Sequence, residues 1–264
     1  MADRGESLSK LILPYPGREL LKGSRDQFFD LKSGVKSRYI YDLGLSTGEV
    51  LYESAGGMGM SDNIRIIQLH DLIKKPYAEE LIKEEFKNSF KGKWGKAKFY
   101  RIRRDTNQEL KNPSRRTIAK LYCLLASSGF RYKFDKFGNF KGDYFPHSLD
   151  TSEIVLNNKK LINSDFLLKH GSYDSFDKNL LTKKSLVYFH VPFPWTKTNK
   201  YRLFNYFDFL NLEGIDFLLS GKLMHRGKID IEILNWSSSY SSIILPQFKE
   251  PSSYSLSDIF ITNF

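Results

Sequence analysis

Short apolar runs separated by glycines characterise the first third of the chain. Residues 49–53 form a β-rich run that leads into a glycine cluster at 56–59, and a second apolar run at 64–69 ends near Asp71. Mixed charges along one face then predict a helix over 76–90, with a proline in its first turn. A strand, a glycine turn, a second strand with an acidic end and a helix together predict the opening of a doubly wound α/β sheet.

The same alternation of strands and helices returns in the last third of the chain. Apolar runs predict strands at 186–190, 215–219 and 258–263, and a helical pattern covers 201–212. The fold class that follows is a twisted, mostly parallel α/β sheet to which both ends of the chain contribute.

The middle third has a different pattern. Residues 91–116 are dense in lysine, arginine and aromatic side chains, and residues 118–125 have the apolar content of a buried helix. Residues 131–141 alternate between polar and aromatic positions with Gly138 near the tip, which is a strong signal for a β-hairpin. We therefore predict an inserted helical and hairpin region over 91–147.

These elements divide the chain into three parts. Residues 1–27 carry prolines, glycines and mixed charge and are interpreted as an N-terminal extension. Residues 28–90 and 148–264 are predicted to form the α/β domain that carries the insert. A chain of 264 residues with 41% hydrophobic and 15% aromatic residues is long and apolar enough to bury a sizeable core.

The overall charge favours a polyanionic partner. The chain has 41 lysines and arginines against 30 acidic residues, which gives a formal charge of +11. Neutralising phosphates releases their counterions, and this release drives a basic protein onto nucleic acid. A basic soluble protein without such a partner remains the alternative on composition alone.

Cysteine usage and hydropathy indicate the compartment. The single cysteine, Cys123, excludes an internal disulfide and a cysteine-based zinc cluster, and its apolar neighbours predict a buried core residue. The histidines lack metal-ligand spacing, so we expect no metal. No apolar stretch approaches the roughly 20 residues of a membrane helix, and the charged N-terminus lacks the apolar core of a signal peptide. We expect a reducing, cytoplasmic setting without membrane contact.

The most informative chemistry lies at 186–195, where an apolar strand ends in a turn of proline and aromatic residues. Enzymes that methylate amino groups of DNA bases hold the target base in a similar turn, usually spelled Asp-Pro-Pro-Tyr. Here the turn consists of His190, Val191, Pro192 and Phe193. The chain resembles the Dam-type DNA adenine-N6 methyltransferases, most closely the shorter kind found in T-even phages.

Further segments match this family in the same order along the chain, from about Phe28 onward. Residues 31–38 resemble the family's Trp-Ala-Gly-Gly-Lys segment, and residues 53–59 resemble its Glu-Pro-Phe-x-Gly-x-Gly loop. Residues 99–107 are similar to a Phe-x-x-x-Arg-x-x-(Tyr/Phe)-Asn segment, and 257–264 are similar to the end strand. The predicted hairpin corresponds to the family's target-recognition hairpin, although the turn leading into it is about two residues short.

The resemblance implies a methyltransferase-type sheet, S-adenosylmethionine as cofactor and two further sets of site residues. The residues implied for the cofactor are Lys36, Glu53, Gly57, Gly59, Asp71, Asp165 and Phe166. Those implied for double-stranded DNA are Arg101, Arg103, Arg104, Arg115, Arg116, Arg131, Lys133, Lys136 and Lys141. We expect Glu53, Asp71, Asp165 and His190 to be strand ends that converge on one cleft.

Two departures from the family pattern bear on catalysis. In the family, the Asp or Asn of the turn and the first proline's carbonyl accept hydrogen bonds from the target amino group, and the aromatic stacks on the flipped base. Neutral His190 offers at most one ring acceptor, and Val191 need not hold a rigid backbone. Ala55 replaces an aromatic wall of the cofactor pocket. We therefore expect weak or absent S-adenosylmethionine binding and impaired methyl transfer, although Phe193 can still stack on a base.

Three functions remain open at this point. The first is a DNA-binding, Dam-like pseudoenzyme that acts as a recognition or partner subunit beside an active methyltransferase of a modification system, in a bacterial or phage-infected cell near the nucleoid. The second is an active adenine-N6 methyltransferase with a divergent motif. The third is a basic structural protein on the same fold.

Overall fold

The computed structural model describes residues 38–45, 48, 51, 54, 56–90, 95–128, 133–144, 166–191, 197–225, 228–244, 248–249, 255–256 and 258–263. The strands, in chain order, are β1 Tyr39–Asp42, β2 Gly56–Ser61, β3 Phe166–His170, β4 Ser185–His190, β5 Asp216–Lys222, β6 Met224–His225, β7 Lys228–Ile229, β8 Ser241–Ile244, β9 Phe248–Lys249, β10 Ser255–Leu256 and β11 Asp258–Thr262. The helices are α1 Ile64–Ile73, α2 Ala78–Glu85, α3 Lys96–Glu109, α4 Arg115–Ser127, α5 Lys197–Leu212 and α6 Ile231–Ser237.

Seven strands form one sheet in the order β3-β2-β1-β4-β5-β11-β8. The strands from β3 to β5 run parallel to their neighbours, and β11 is antiparallel to both β5 and β8. This is the mostly parallel α/β sheet of the methyltransferase type, so the predicted fold class is confirmed. The strands predicted at 186–190, 215–219 and 258–263 correspond to β4, β5 and β11.

The sheet is covered on both faces, which explains why its central strands are continuous apolar runs. Strand side chains point alternately to opposite faces. On one face, Val187 and Phe189 pack with Phe207 of α5 in a large apolar cluster. On the other face, Ile66 and Ile67 of α1 belong to a smaller cluster that contacts the β1–β2 region.

The segment predicted as a second strand, 64–69, is instead the start of helix α1. The Asn63 side chain accepts a hydrogen bond from the Arg65 backbone and caps the helix. The polar positions of this run, Arg65 and Gln68, are three residues apart, which suits a helix better than a strand. The strand assignment was therefore wrong.

The glycine cluster and the strand before it were also misplaced. The glycine segment forms strand β2, which is buried along its whole length, rather than a turn. Of the strand predicted at 49–53 only Leu51 is described, and its backbone is helical. The first strand of the described chain is β1, which lies further upstream.

Two predicted helices and the described part of the predicted hairpin are present in and around the middle of the chain, whereas α3 had not been identified as a helix. The helix expected over 76–90 is α2 followed by a π-helical turn, Phe86–Phe90, and the helix expected at 118–125 lies within α4. Together with α3 they enclose an apolar cluster that includes Phe99, Leu121 and Phe140. Phe134 and Phe140 form an antiparallel bridge, so the described part of the predicted hairpin is confirmed. The boundaries of the insert stay a prediction, because α2 packs into the same cluster.

Candidate active-site edge and nucleic-acid interface

The carboxyl ends of the parallel strands meet at one edge of the sheet. Ser61 of β2 pairs with His170 of β3, and His190 of β4 pairs with Ser220 of β5. Asp42, the last residue of β1, lies between β2 and β4. Ligands of open α/β sheets bind beyond these carboxyl ends. We call this row of residues the active-site edge.

Asp42 is the buried acid of this edge. Its side chain is 2% exposed, and within the described chain its only hydrogen bond comes from the Gly44 backbone N–H at 3.3 Å. Burial disfavours the carboxylate and raises the pKa of Asp42 to about 8, against a smaller lowering effect of the Gly44 bond. The carboxyl is therefore mostly protonated at neutral pH. A positively charged ligand at the edge would favour its ionised form.

The loop after β1 lies directly on the end of β4. Leu43 donates its backbone N–H to the Tyr188 carbonyl at 3.0 Å. A Cβ on Gly44 would lie 3.0 Å from the His190 carbonyl oxygen, so any other residue here would require the two backbones to move apart by a few tenths of an ångström. The glycine beside the end of β4 is thus Gly44, and not one of the glycines of β2.

His190 is held by hydrogen bonds at the end of β4. Its Nδ1 lies 2.9 Å from the Ser220 hydroxyl, which lies 2.9 Å from the Tyr188 hydroxyl. If Ser220 donates to Nδ1, the ring proton of the neutral histidine is on Nε2. If Nδ1 donates to Ser220, Nε2 is an acceptor. These hydrogen bonds therefore decide which role His190 offers to a ligand.

Val191 follows at the start of the turn. Its side chain is 4% exposed and belongs to the large apolar cluster, and its backbone N–H donates to the Ser220 carbonyl at 2.8 Å. Val191 thus extends the pairing of β4 with β5 by one residue. The remaining residues of the predicted catalytic turn, Pro192 and Phe193, lie outside the described residues.

Gly57 and Gly59 do not lie in a cofactor loop, and their predicted position was wrong. Both are inside strand β2. A Cβ on Gly57 would lie 2.2 Å from the Ile40 carbonyl oxygen, and one on Gly59 would lie 2.8 Å from a methyl carbon of Leu45. These glycines are explained by close packing of the sheet and the loop above it.

Asp71 does not end a strand, so its predicted position was also wrong. It is the eighth residue of α1, which begins at the edge and runs away from it, so Asp71 lies about 10 Å along the helix axis. Its carboxylate is 59% exposed and pairs with Lys75 at 3.0 Å. The expected convergence of Asp71 with His190 therefore fails.

Phe166 is the first residue of β3, at the amino end of the strand. It lies four residues, or about 13 Å, from His170 at the active-site edge. Its ring is buried in the cluster beneath α1, and its carbonyl accepts a hydrogen bond from the Lys74 ammonium at 2.6 Å. These contacts account for Phe166 without a ligand. The other predicted cofactor residues, Lys36, Glu53 and Asp165, lie outside the described residues.

The acid of the edge was missed in the sequence although a signal for it was present. Residues 39–44 read Tyr-Ile-Tyr-Asp-Leu-Gly, a β-rich run followed by an acid and a glycine. The glycine-rich segment at 53–59 gave the stronger composition signal for a loop. Composition could not show that those glycines serve strand packing.

Several residues predicted to contact DNA come together between α3 and the hairpin. There they line an open groove of about 370 Å³, which we call the basic groove. The lining residues are Tyr100, Arg103, Arg104, Asn107, Gln108, Lys111, Asn139 and Lys141. The described residues that line it include four cations, which suit an anionic ligand. Three of them, Arg103, Arg104 and Lys141, also lie within 4.0 Å of carboxylates, those of Asp143, Asp105 and Asp135, so their charge is partly neutralised.

Helix α3 and the hairpin are joined by specific hydrogen bonds. The Asn107 side-chain amide donates to the Phe140 carbonyl at 3.0 Å, and its oxygen accepts from the Phe140 N–H at 2.9 Å. Arg103 donates to the Gly142 carbonyl at 2.8 Å and lies 4.6 Å from the centre of the Tyr100 ring. The walls of the basic groove are thus fixed relative to each other.

The other predicted DNA residues have different surroundings. Arg101 is exposed on α3. At the start of α4, Arg115 lies over the Tyr77 ring and Arg116 pairs with Glu84 at 3.0 Å, so both contact the α2 side. On the hairpin, Lys133 lies 3.5 Å from an Asp143 oxygen. Lys136 lies beside the hairpin tip, and Arg131 is outside the described residues.

The described part of the chain has neither a metal-binding cluster nor a membrane-spanning helix. Its described residues contain no group of three or more histidine, cysteine, aspartate or glutamate side chains that could hold a metal ion. Its described helices include none that is long and apolar enough to cross a bilayer.

Comparison with known proteins places the chain near methyltransferases. No protein-family model matches it. It is 26% identical over 140 residues to Modification methylase StsI of Streptococcus sanguinis. This match covers 45% of the present chain and 21% of StsI. It is 24% identical over 236 residues to Type II methyltransferase M.FokI of Planomicrobium okeanokoites. This match covers 76% of the present chain and 35% of M.FokI. The chain spans about a third or less of either relative, and it is a distant, methyltransferase-like relative of the type II modification enzymes.

Proposed function

We propose that the protein is a Dam-like, DNA-binding member of a modification system, which holds duplex DNA in the basic groove. The observation that carries the proposal is the cluster of four cations on two rigidly joined elements. Cations fixed along a groove neutralise successive phosphates, and the resulting counterion release favours binding. The region over 91–147 then acts as the DNA-recognition insert of the α/β domain.

The active-site edge supports a site for S-adenosylmethionine, which supplies an electrophilic methyl group when it is bound. Asp42 fits this cation, because a buried carboxyl with a single described hydrogen bond gains a partner from a positive charge. Gly44 fits as well, since its lack of a side chain keeps the edge open beside His190. The missing ring at position 55 gives no reason to expect weak binding, because the residues that follow Ala55 form strand β2 and not a cofactor loop.

Impaired methyl transfer remains part of the proposal because of His190. Nδ1 is hydrogen-bonded to the Ser220 hydroxyl, and a neutral imidazole has a single acceptor nitrogen, so His190 does not reproduce the acceptor oxygens of an Asp or Asn. Loss of one positioned acceptor costs on the order of 10²–10³ in rate. A protein that binds DNA and transfers methyl groups poorly suits a recognition or partner subunit beside an active methyltransferase.

Purified protein assayed on duplex DNA with labelled S-adenosylmethionine tests this proposal. We expect saturable, salt-sensitive DNA binding and no methyl transfer above background. An added methyltransferase with an intact Asp-Pro-Pro-Tyr motif should be active in the mixture whether position 190 here is His or Ala. Absence of duplex binding at low salt would contradict the proposal.

The second candidate is an active adenine-N6 methyltransferase, and one observation favours it. The chain of hydrogen bonds from Tyr188 through Ser220 to His190 can hold the tautomer in which Nε2 accepts. Robust transfer by the wild-type chain that is lost in His190→Ala, with DNA binding retained, would establish this candidate.

A further inference from the structure

The outer face of helix α3 carries a row of long polar side chains, which we call the α3 ridge. Arg101, Arg104 and Gln108 are all exposed, and their spacing of three and four residues places them on one side of the helix. Arg104 and Gln108 also line the basic groove. Resting on the DNA-binding function proposed above, we propose that the α3 ridge enters the major groove of the bound duplex, where Gln108 reads an adenine.

Three amide side chains line the described walls of the basic groove, and two of them bond within the protein. Asn107 bonds to both backbone groups of Phe140, and the Asn139 amide donates to the Asp135 carboxylate at 3.1 Å. The Gln108 side chain makes no hydrogen bond to any residue that the structure describes. Its amide therefore keeps an acceptor and two donors for a ligand.

Cations flank Gln108 on both sides. Arg104 lies one turn before it, and Lys111 lies three residues after it, just beyond the end of α3. Arg104 shares its charge with Asp105 at 3.1 Å, whereas Lys111 has no ion pair with the described residues. Phosphate contacts fix the register of a protein on the duplex, and base contacts supply the specificity. The flanking cations therefore suit phosphates, and the amide between them suits a base edge.

The end of α3 that carries Gln108 is held in place from behind. Arg65 of α1 donates to the Leu110 carbonyl and so brings positive charge to the carboxyl end of the helix. The carbonyl groups at that end would otherwise repel phosphates. On the inner face of the helix, Phe99 and Thr106 are buried. The α3 ridge therefore meets a ligand as a fixed surface.

The size and chemistry of the α3 ridge fit the major groove of DNA. That groove is about 12 Å wide and admits an α-helix. Helix α3 has 14 residues, which gives it a length of about 21 Å. A glutamine amide matches adenine, because it accepts from the adenine amino group and donates to N7 at the same time. Guanine presents two acceptors there and pairs with arginine instead, so an amide favours adenine.

The test is selection from a random duplex library by the wild-type protein, followed by affinities for the selected duplex and its single base-pair variants. We expect the wild type to prefer adenine at one position by about ten- to a hundredfold. Gln108→Ala should lose this preference and keep the salt dependence of binding. Gln108→Glu should prefer cytosine there, since a carboxylate accepts from the cytosine amino group. Asn112→Ala, which removes an exposed amide beyond α3 and outside the groove, should keep the wild-type preference.

A modified base reports on the contact directly. Replacing the preferred adenine by 7-deazaadenine removes the N7 acceptor, which should weaken binding by the wild type and leave Gln108→Ala unaffected. The wild-type preference in Gln108→Ala, or wild-type binding without any preference for adenine, would overturn the reading by Gln108 and leave DNA binding intact. Absence of duplex binding by the wild type would instead remove the proposed function and the reading with it.

Discussion

The active-site edge and the basic groove are built in opposite ways. The edge combines segments far apart in the chain, such as Asp42 and His190, and its one acid is buried. The groove combines segments within about 40 residues of each other, and its cations are exposed or half-buried. The edge depends on the register of the whole sheet, whereas the groove depends on a few local anchors. Damage to one should therefore leave the other largely intact.

The largest effect is expected from Gly57→Ala, which tests the packing of the edge. The new methyl group would lie 2.2 Å from the Ile40 carbonyl oxygen between two central strands, where nothing flexible can move away. We expect a loss of several kcal/mol in the free energy of unfolding, measured by urea denaturation. Gly95→Ser, where nothing lies within 4 Å and serine can cap α3, is the matched control and should be nearly neutral. If Gly57→Ala kept the wild-type stability and lost only cofactor binding, the result would contradict this packing role and would place Gly57 in a cofactor site.

The second prediction concerns the pH dependence of stability and the buried acid. Because the pKa of Asp42 is raised from 3.8 to about 8, the native state binds more protons than the unfolded state between these values. Stability should therefore fall as pH rises through this window, by up to about 1.4 kcal/mol per pH unit from this group. Asp42→Asn should remove that part of the slope relative to wild type. Parallel curves for the two proteins between pH 4 and pH 8 would show that Asp42 is not buried as described.

The third prediction separates the groove from the edge. Asn107→Ala leaves the Phe140 N–H and carbonyl without their partner, which should cost about 2 kcal/mol in stability and loosen the hairpin. Duplex affinity should fall, while S-adenosylmethionine binding at the edge should stay close to wild type by calorimetry. Gln108→Ala, next along α3, serves as the stability control. Equal losses of DNA and cofactor binding would contradict the independence of the two regions.

Part of the groove region could be predicted from sequence because the signals of its hairpin and of helix α4 are local. The alternation over 131–141 and the apolar run at 118–125 depend on neighbouring residues alone, and the structure has both elements where the pattern placed them. Of the four groove cations, Lys141 came with the hairpin, and Arg103 and Arg104 came from the family resemblance of 99–107. Lys111 and the helix α3 that carries most of the groove were not predicted. The Asn107 bonds that join α3 to the hairpin could not be predicted, since they need the relative placement of these two elements.

The edge could be predicted only in part. The strand ending at His190 was recognised from its apolar run and the turn after it, and the structure confirms that strand. The glycines of β2 were predicted to form a loop. Composition cannot distinguish a glycine that a turn needs for its backbone conformation from a glycine that lets a neighbouring strand pack closely. Asp42 was missed for the same reason, since its importance comes from burial between β2 and β4 rather than from its neighbours in sequence.

The most direct test of the central claim is the salt dependence of duplex binding. The double variant Arg104→Ala/Lys111→Ala removes two cations from the groove, and Lys183→Ala/Lys184→Ala removes two exposed lysines that precede β4. The account predicts that the slope of log affinity against log salt falls by about 1.8 for the groove variant and stays unchanged for the control. Equal slopes for the groove variant, the control and the wild type would contradict binding of DNA in this groove.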